Sequence, residues 1–471
     1  MKNKFALAFI ALTVLVSASF AEPVYKDVAE GVTLYQEFVE GHLITAAIVD
    51  LNVPGVSIRS ELAGGTVGGG DKNGRETITG MVKRTGAVVG LNGDYFPWTG
   101  DPCGFMLRDG ELISEPVADL SACGFTADNK FFVDILKCDG KLTFPSGISR
   151  TIDAVNRPRE TNQLVVYTPT MGKSTKNKYR GTEVICDCEN LPLQLGKEMR
   201  LKVREVYENA ADSKIPEGCM AISAGGPAGW FLKENARPGQ ILRVKINVRS
   251  AYPGRTETAT DWTTGTNAMA AGPNLVENGE VVRDVRTFRM QGGHLTATHP
   301  RSAIGVTADN KVILLALDGR QSYTTGVSTA KLGEIMKRLG CVNAMNLDGG
   351  GSTTLSVRGI IVNSPSDAYQ RSVCNGWVVF APQSNIAMPN LRVFREGDMM
   401  KVTAEDGSEL TPEQLRHVIW GTRNGGGFVD QTGRIYSRTK TKAKPELVFN
   451  GKAEEVGEEI GGEENEKTDA E

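Results

Sequence analysis

Beyond its first residues this chain lacks any long apolar run, and with that any candidate for a membrane-crossing helix. Residues 5–16 are apolar but fall short of the roughly 20 residues that span a bilayer, and no later stretch is long and apolar enough to do so. Histidine is scarce: His42, His294, His299 and His417 are all there is, with no cluster among them and no CxxC pair beside them. A zinc centre therefore has little material. A surplus of positive charge is missing too, since 53 basic residues stand against 56 acidic ones. Nucleic-acid binding, which wants a basic patch, has no support.

Residues 1–21 read as a secretory leader. Lys2 and Lys4 precede the apolar stretch, and Ser19-Phe20-Ala21 offers a small-x-small cleavage site before Glu22. The mature chain is thus expected to be secreted, periplasmic or held at the cell envelope, without a stable membrane span. No cysteine follows the cleavage site to carry a lipid. The eight cysteines all lie in the mature part, an even number in a compartment that permits disulfides, so pairing is expected with its connectivity open. Cys186-Asp187-Cys188 is too tight a loop to bridge itself. Residues 452–471 carry nine acidic and two basic residues and are expected to be a disordered acidic tail.

What is abundant is glycine, 54 of 471 residues with no collagen period, scattered among many short apolar runs. That pattern points to a β-rich protein with many turns. Residues 22–85 read as an N-terminal β-rich region of alternating strands closed by a helix at 76–85, where Ile78, Met81 and Val82 share a face. A second helix is expected over 328–339, with Ser328 or Thr329 as cap and Leu332, Ile335, Met336 and Leu339 turned inward. Residues 383–451 form a small β appendage.

The densest chemistry lies at Asn346-Leu347-Asp348-Gly349-Gly350-Gly351-Ser352-Thr353. A glycine triplet is kept where φ is positive or where a backbone must come close to something. Asp348 supplies charge, the N–H groups of Gly349, Gly350 and Gly351 can form an anion nest, and Ser352 and Thr353 supply hydroxyls. A tight turn without a ligand explains the same residues. Upstream, Asn92-Gly93-Asp94-Tyr95-Phe96 ends an apolar run, either as a hairpin turn or as a strand end where Gly93 leaves room for a ligand between Asn92 and Asp94. Residues 301–320 form a hairpin whose outer ends carry Arg301 and the Asp318/Arg320 pair, which antiparallel pairing brings together. Strand, helix and strand then follow with Asp-Gly after each strand, so Asp318 and Asp348 are expected at one sheet edge.

These motifs, with Ala271-Gly272-Pro273-Asn274-Leu275, occur in an order that resembles the phosphodiester glycosidase family over residues 86–382. The resemblance implies an α+β fold of mixed, mainly antiparallel sheets with a few packed helices. It also implies hydrolysis between a sugar's anomeric carbon and a phosphodiester oxygen. The residues suit that chemistry. A phosphodiester wants guanidinium partners, for which Arg301 and Arg320 are available and Arg371 is a third. A carboxylate must support an oxocarbenium-like centre, with Asp348 ranked before Asp318 and Asp94; Asp318 reads equally as a salt-bridge partner of Arg320. Asn92, Ser352 and Thr353 would bind sugar hydroxyls or phosphate oxygens. The expected partner is a sugar phosphodiester or glycan, with no cofactor. Two other readings stand beside this one: a non-catalytic carbohydrate- or phosphate-binding envelope protein, and a phosphodiesterase whose Asp94, Asp318 and Asp348 hold a divalent cation such as Ca2+ or Mg2+.

Overall fold

Period-two alternation of apolar and polar residues dominates the chain, and it folds accordingly. The computed structural model describes residues 22–456 apart from 71–73, 118–119, 252–260, 284–291, 385 and 437–441, together with residue 459. The leader expected at 1–21 and most of the acidic tail lie outside the described residues. Among the described residues no helix is long and apolar enough to cross a membrane.

Three large sheets carry the architecture. The first has eight strands in the order Val24–Ala29, Val32–Val39, His42–Asp50, Lys311–Leu317, Arg301–Thr307, Cys341–Asn346, Asn274–Glu277 and Glu280–Val281, with every neighbour antiparallel. Because Lys311–Leu317 and Cys341–Asn346 both run opposite to the strand between them, they finish at the same edge. The pairings Arg301↔Leu317 and Ala303↔Asn346 bring Arg301, Asp318 and Asp348 to that edge, as expected. A twelve-stranded sheet fills the middle of the chain, and a third sheet of eight strands contains Val89–Asn92, Leu355–Val357 and Asn375–Phe380. Only Ala154–Val155 and Leu164–Tyr167 pair in parallel among the described residues. Helices are few and short, so the fold is predominantly antiparallel β and the α+β label fits it only in outline.

The two helices with a sequence signature form where expected. Ile78–Thr85 starts at Thr77, whose hydroxyl accepts from Gly80 N–H, and stops at Gly86 in the left-handed region with φ 74°. Its buried Ile78, Met81 and Val82 each contribute about 1.5–3 kcal/mol by leaving water. Thr329–Arg338 is capped by Ser328 and buries Leu332, Ile335 and Met336 against Leu275, Val276 and Ala344 of the first sheet. The main core lies between sheets, where Leu34, Val49 and Leu314 meet Leu91, Leu355 and Trp377.

The sheets cross both expected region boundaries. His42–Asp50 pairs with Lys311–Leu317, and Ser57–Leu62 pairs with Asn375–Phe380, so residues 22–85 are woven into the sheets built by later parts of the chain. Ile419–Thr422 and Pro445–Phe449 extend the third sheet through the pair Ile361↔Thr422. The C-terminal strands also lean on the N-terminal ones: Arg416 pairs with Asp27 at 2.6 Å and Gln431 N–H donates to Gln36 Oε1 at 2.8 Å. Lys452–Glu455, placed by sequence in the tail, forms a strand against Pro445–Phe449. All eight cysteines are free thiols, contrary to the expected pairing; Cys123, Cys186, Cys219, Cys341 and Cys374 are each buried as small apolar side chains.

Candidate active site

The shared edge of the first sheet opens into a cavity of about 640 Å3. Its charged wall is Asp348, Arg301, Arg320 and Arg371, with His294 and His299 beside them. Gly349, Gly350 and Gly351 line it as well, together with Tyr95, Cys103, Val117 and Leu120.

Asp348 sits where the strand Cys341–Asn346 ends, and its backbone is held at both sides. Its N–H donates to Gly93 O at 2.9 Å, and Asn92 Nδ2 donates to its carbonyl at 2.6 Å. Burial pushes the carboxyl up to about 6, against the lowering pull of the Ser352 hydroxyl, the Arg371 guanidinium and Gly349 N–H. It therefore titrates within the range in which a general base or nucleophile works.

The glycine triplet serves a different purpose from the expected nest. Gly350 N–H donates to Pro300 O at 2.9 Å and Gly349 N–H is turned to the Asp348 carboxyl, so two of the three amides are engaged within the protein. What the absent side chains provide is room for guanidinium groups. A Cβ on Gly350, whose φ is +63°, would come 3.3 Å from Arg320 Nη2, and one on Gly351 would collide with the Arg371 and Asp367 pair. Arg371 is fixed to Asp367 at 2.6 Å and donates to Ser352 Oγ at 3.3 Å.

Arg320 and His299 form a second pair, with Nη2 3.2 Å from Nδ1. A guanidinium can only donate, so Nδ1 accepts and the imidazole is neutral with its proton on Nε2. Burial and the charges of Arg320 and Arg301 lower the affinity of His299 for a second proton, in agreement. His294 and His299 were passed over in the sequence, where four scattered histidines show no cluster. Two of the four nevertheless converge on this cavity.

Several sequence-predicted residues take other roles. Arg301 is 4 % exposed and donates Nε to Val327 O and Nη2 to His294 O and Ala297 O, so it anchors the histidine-bearing segment while lining the wall. Asn92 is fully buried: beyond Asp348 it accepts from Ser302 Oγ at 2.7 Å and Thr354 N–H at 3.1 Å. It frames the loop rather than a ligand. Thr353 is likewise buried, 3.3 Å from Ser302 Oγ, and Ser352 reaches the cavity through Asp348 and Arg371. Gly93 leaves room for the protein's own Met269 and Asn375 side chains, not for a ligand. Gly93→Ala should therefore cost about 1–3 kcal/mol through overpacking, read as a lower urea midpoint; an unchanged midpoint would show that Met269 can step aside.

Asp318 and Asp94 do not line the cavity. Asp318 is 1 % exposed and accepts from Asn363 Nδ2 at 2.9 Å and from Ser364 N–H at 2.9 and 3.0 Å. Asp94 lies buried behind the wall, where Gly104 N–H donates to Oδ2 at 2.9 Å. Burial holds its carboxyl well above the ordinary carboxylate range, the neighbouring amides offset part of this, and the charge of Asp348 adds to it. Among the described residues no group of three His, Cys, Asp or Glu side chains converges as a cation cage, so the three aspartates do not form the one considered from sequence.

One carboxylate, three guanidinium groups and two imidazoles thus line a single cavity. Residues 202–380 match the family model of the phosphodiester glycosidases, NAGPA, which bears out the resemblance for the four motifs that lie within them and leaves the one at Asn92 outside the match. The match includes Arg301, Arg320, Asp348 and Arg371.

Two curated relatives and one solved structure place it further. Over 120 residues the chain is 33% identical to the SPbeta prophage-derived uncharacterized protein YomE of Bacillus subtilis (strain 168), covering 25% of this chain and 18% of YomE. Over 70 residues it is 37% identical to the N-acetylglucosamine-1-phosphodiester alpha-N-acetylglucosaminidase of Bos taurus, covering 15% of this chain and 13% of that enzyme. The matched stretches thus span less than a fifth of either relative. A hypothetical protein from Synechocystis shares the fold with a TM-score of 0.62 at 23% identity, over 77% of this chain and 64% of that one.

Proposed function

We propose that this chain is an exported hydrolase that cleaves the bond between the anomeric carbon of a sugar and the oxygen of a phosphodiester. The observation that carries this reading is Asp348, raised to about 6, in one cavity with Arg320 and Arg371. The guanidinium pair takes the phosphodiester oxygens. As the C–O bond breaks, its oxygen leaves with phosphorus as a phosphate monoester, and the same arginines meet the growing negative charge. The Asp348 carboxylate faces the electron-poor anomeric carbon, and water supplies the oxygen that ends on the sugar. Such a leaving group needs little protonation, which fits a wall whose imidazole His299 is neutral.

Hydrolysis of a chromogenic sugar 1-phosphodiester in 18O-labelled water tests it. The label should enter the anomeric hydroxyl of the sugar and leave the phosphate unlabelled. Label in the phosphate would mean P–O cleavage, the phosphodiesterase reading, and retention of activity in excess chelator would then be the next question. Binding without turnover would mean an envelope-binding protein.

Activity should also depend on pH with a defined sign. Asp348 works ionised, so kcat/KM should rise with pH through about 6 and then level off. A profile that falls across the same interval would assign Asp348 as an acid.

A further inference from the structure

Two of the three guanidinium groups in the cavity are carried by loops that rest on the C-terminal strands. Arg301 is the exception, held from within the sheet by its three carbonyl bonds. Arg320, at φ +58°, opens a loop closed by Arg320 N–H to Thr325 O at 3.1 Å and Gln321 N–H to Thr324 O at 2.9 Å. Tyr323 stands at the tip of that loop, its ring 4.7 Å from the ring of Tyr436 in the strand Ile435–Tyr436. Arg371 ends a second loop that begins at Pro365. There Gln370 N–H donates to Asn424 O at 3.3 Å, and a Cβ on Gly425 would come 3.2 Å from Pro365 Cγ. Gln321 Nε2 joins the two loops by donating to Ser364 O at 3.2 Å.

The supports are themselves ordered. Tyr436 pairs with Phe428 across a two-stranded ribbon with the rings 5.7 Å apart, and Phe428 is fully buried. The Tyr436 hydroxyl donates to Asp430 Oδ2 at 3.3 Å, while Asp430 Oδ1 accepts from Thr432 N–H at 2.9 Å and Arg434 N–H at 3.0 Å. Asn424 is fixed from its far side, where its Nδ2 donates to Lys442 O at 2.9 Å. A non-glycine residue at positive φ costs free energy and persists where its surroundings hold it. Arg320 is such a residue, and the tip of its loop is braced by Tyr436. The family match ends at residue 380, so Tyr436, Asn424 and Gly425 all lie beyond it.

We propose that Tyr436 is a positioning residue for Arg320, so that the C-terminal strands complete the phosphate side of the cavity instead of forming a separate appendage. This rests on the reading of Arg320 and Arg371 as the phosphate-binding pair. The path is short. Tyr436 fixes Tyr323, Tyr323 fixes the loop tip, and the two backbone bonds of the loop set the direction in which Arg320 leaves it. Without the ring the loop tip is free, and an arriving anion has to order it at a cost in affinity.

Calorimetric titration of inorganic phosphate into the full chain tests this, because phosphate engages guanidinium groups without turnover. Tyr436→Ala should weaken binding about fivefold and Tyr323→Ala by a similar factor. The double variant should lose little more than either alone, since both changes delete one contact. Tyr436→Phe keeps the ring and should stay within about twofold of wild type. Phe394→Ala, which removes a ring 37% exposed on Leu391–Glu396, controls for general loosening of the C-terminal segment and should change nothing. In turnover of the chromogenic phosphodiester, kcat/KM of Tyr436→Ala should fall at least as far as its phosphate affinity. Should Tyr436→Ala fail to fold, Tyr323→Ala deletes the same contact from the cavity side and its affinity decides. Equal phosphate affinity in wild type and the folded variants would overturn the proposal, and so would additive losses in the double variant or a wild type that binds no phosphate. The expected order of affinities in a wild type that hydrolyses nothing would sink the proposed activity alone and leave the positioning role standing.

Discussion

Asp348→Asn should lose turnover and gain stability. Replacing a carboxylate that acts in the transition state removes about 10²–10⁴-fold of kcat, with KM little changed because Arg320 and Arg371 still hold the phosphate. The stability half follows from the same raised carboxyl. Its folded pKa of about 6 lies above the ordinary aspartate value, so ionisation opposes folding. The penalty is absent in acid and grows as pH rises through 6, and solvent contact at the cavity mouth limits it to roughly 1–2 kcal/mol. Thermal midpoints of the Asn variant should therefore exceed those of wild type at pH 8 and converge with them near pH 4. A variant that keeps its kcat removes Asp348 from the chemistry.

Asp318→Ala separates a structural carboxylate from a catalytic one at the same sheet edge. Its removal takes one buried acceptor away from Ser364 N–H and from Asn363 Nδ2, which keeps Thr353 O. A loss of about 3–5 kcal/mol is expected, measured as a lower urea midpoint and, in the folded fraction, a kcat that stays near that of wild type. Asp318→Asn keeps one acceptor oxygen and should lose less. Were Asp318→Ala to unfold at the wild-type midpoint and yet hydrolyse nothing, Asp318 would belong to the reaction and the geometry would have misled.

The parts of the site legible from sequence were those fixed by strand periodicity. Apolar runs that end in Asp-Gly, separated by one helix, determine that Asp318 and Asp348 finish at a common edge, and the hairpin at 301–317 determines where Arg301 falls. Direction of the side chains beyond a strand end follows from no period. Asn92 and Asp348 look alike in sequence, as polar groups beside glycine, yet one turns into the protein to hold the backbone of the other. His294 and His299 escaped because their place in the cavity lining goes with the three carbonyl bonds of Arg301, contacts that leave no trace in spacing. The same holds for the C-terminal strands, whose membership in the third sheet rests on a single pair, Ile361 with Thr422.

The insertion of His42–Asp50 beside Lys311–Leu317 has a consequence for how the molecule is made. The N-terminal hairpin leaves the ribosome, and any export channel, long before the strand that covers its open flank. Until then it presents unpaired backbone and an apolar face to whatever is nearby. Non-local pairing of this kind also slows the search for the native arrangement. Maturation should accordingly depend on a holding factor, and yield should fall steeply with the concentration of newly made chain.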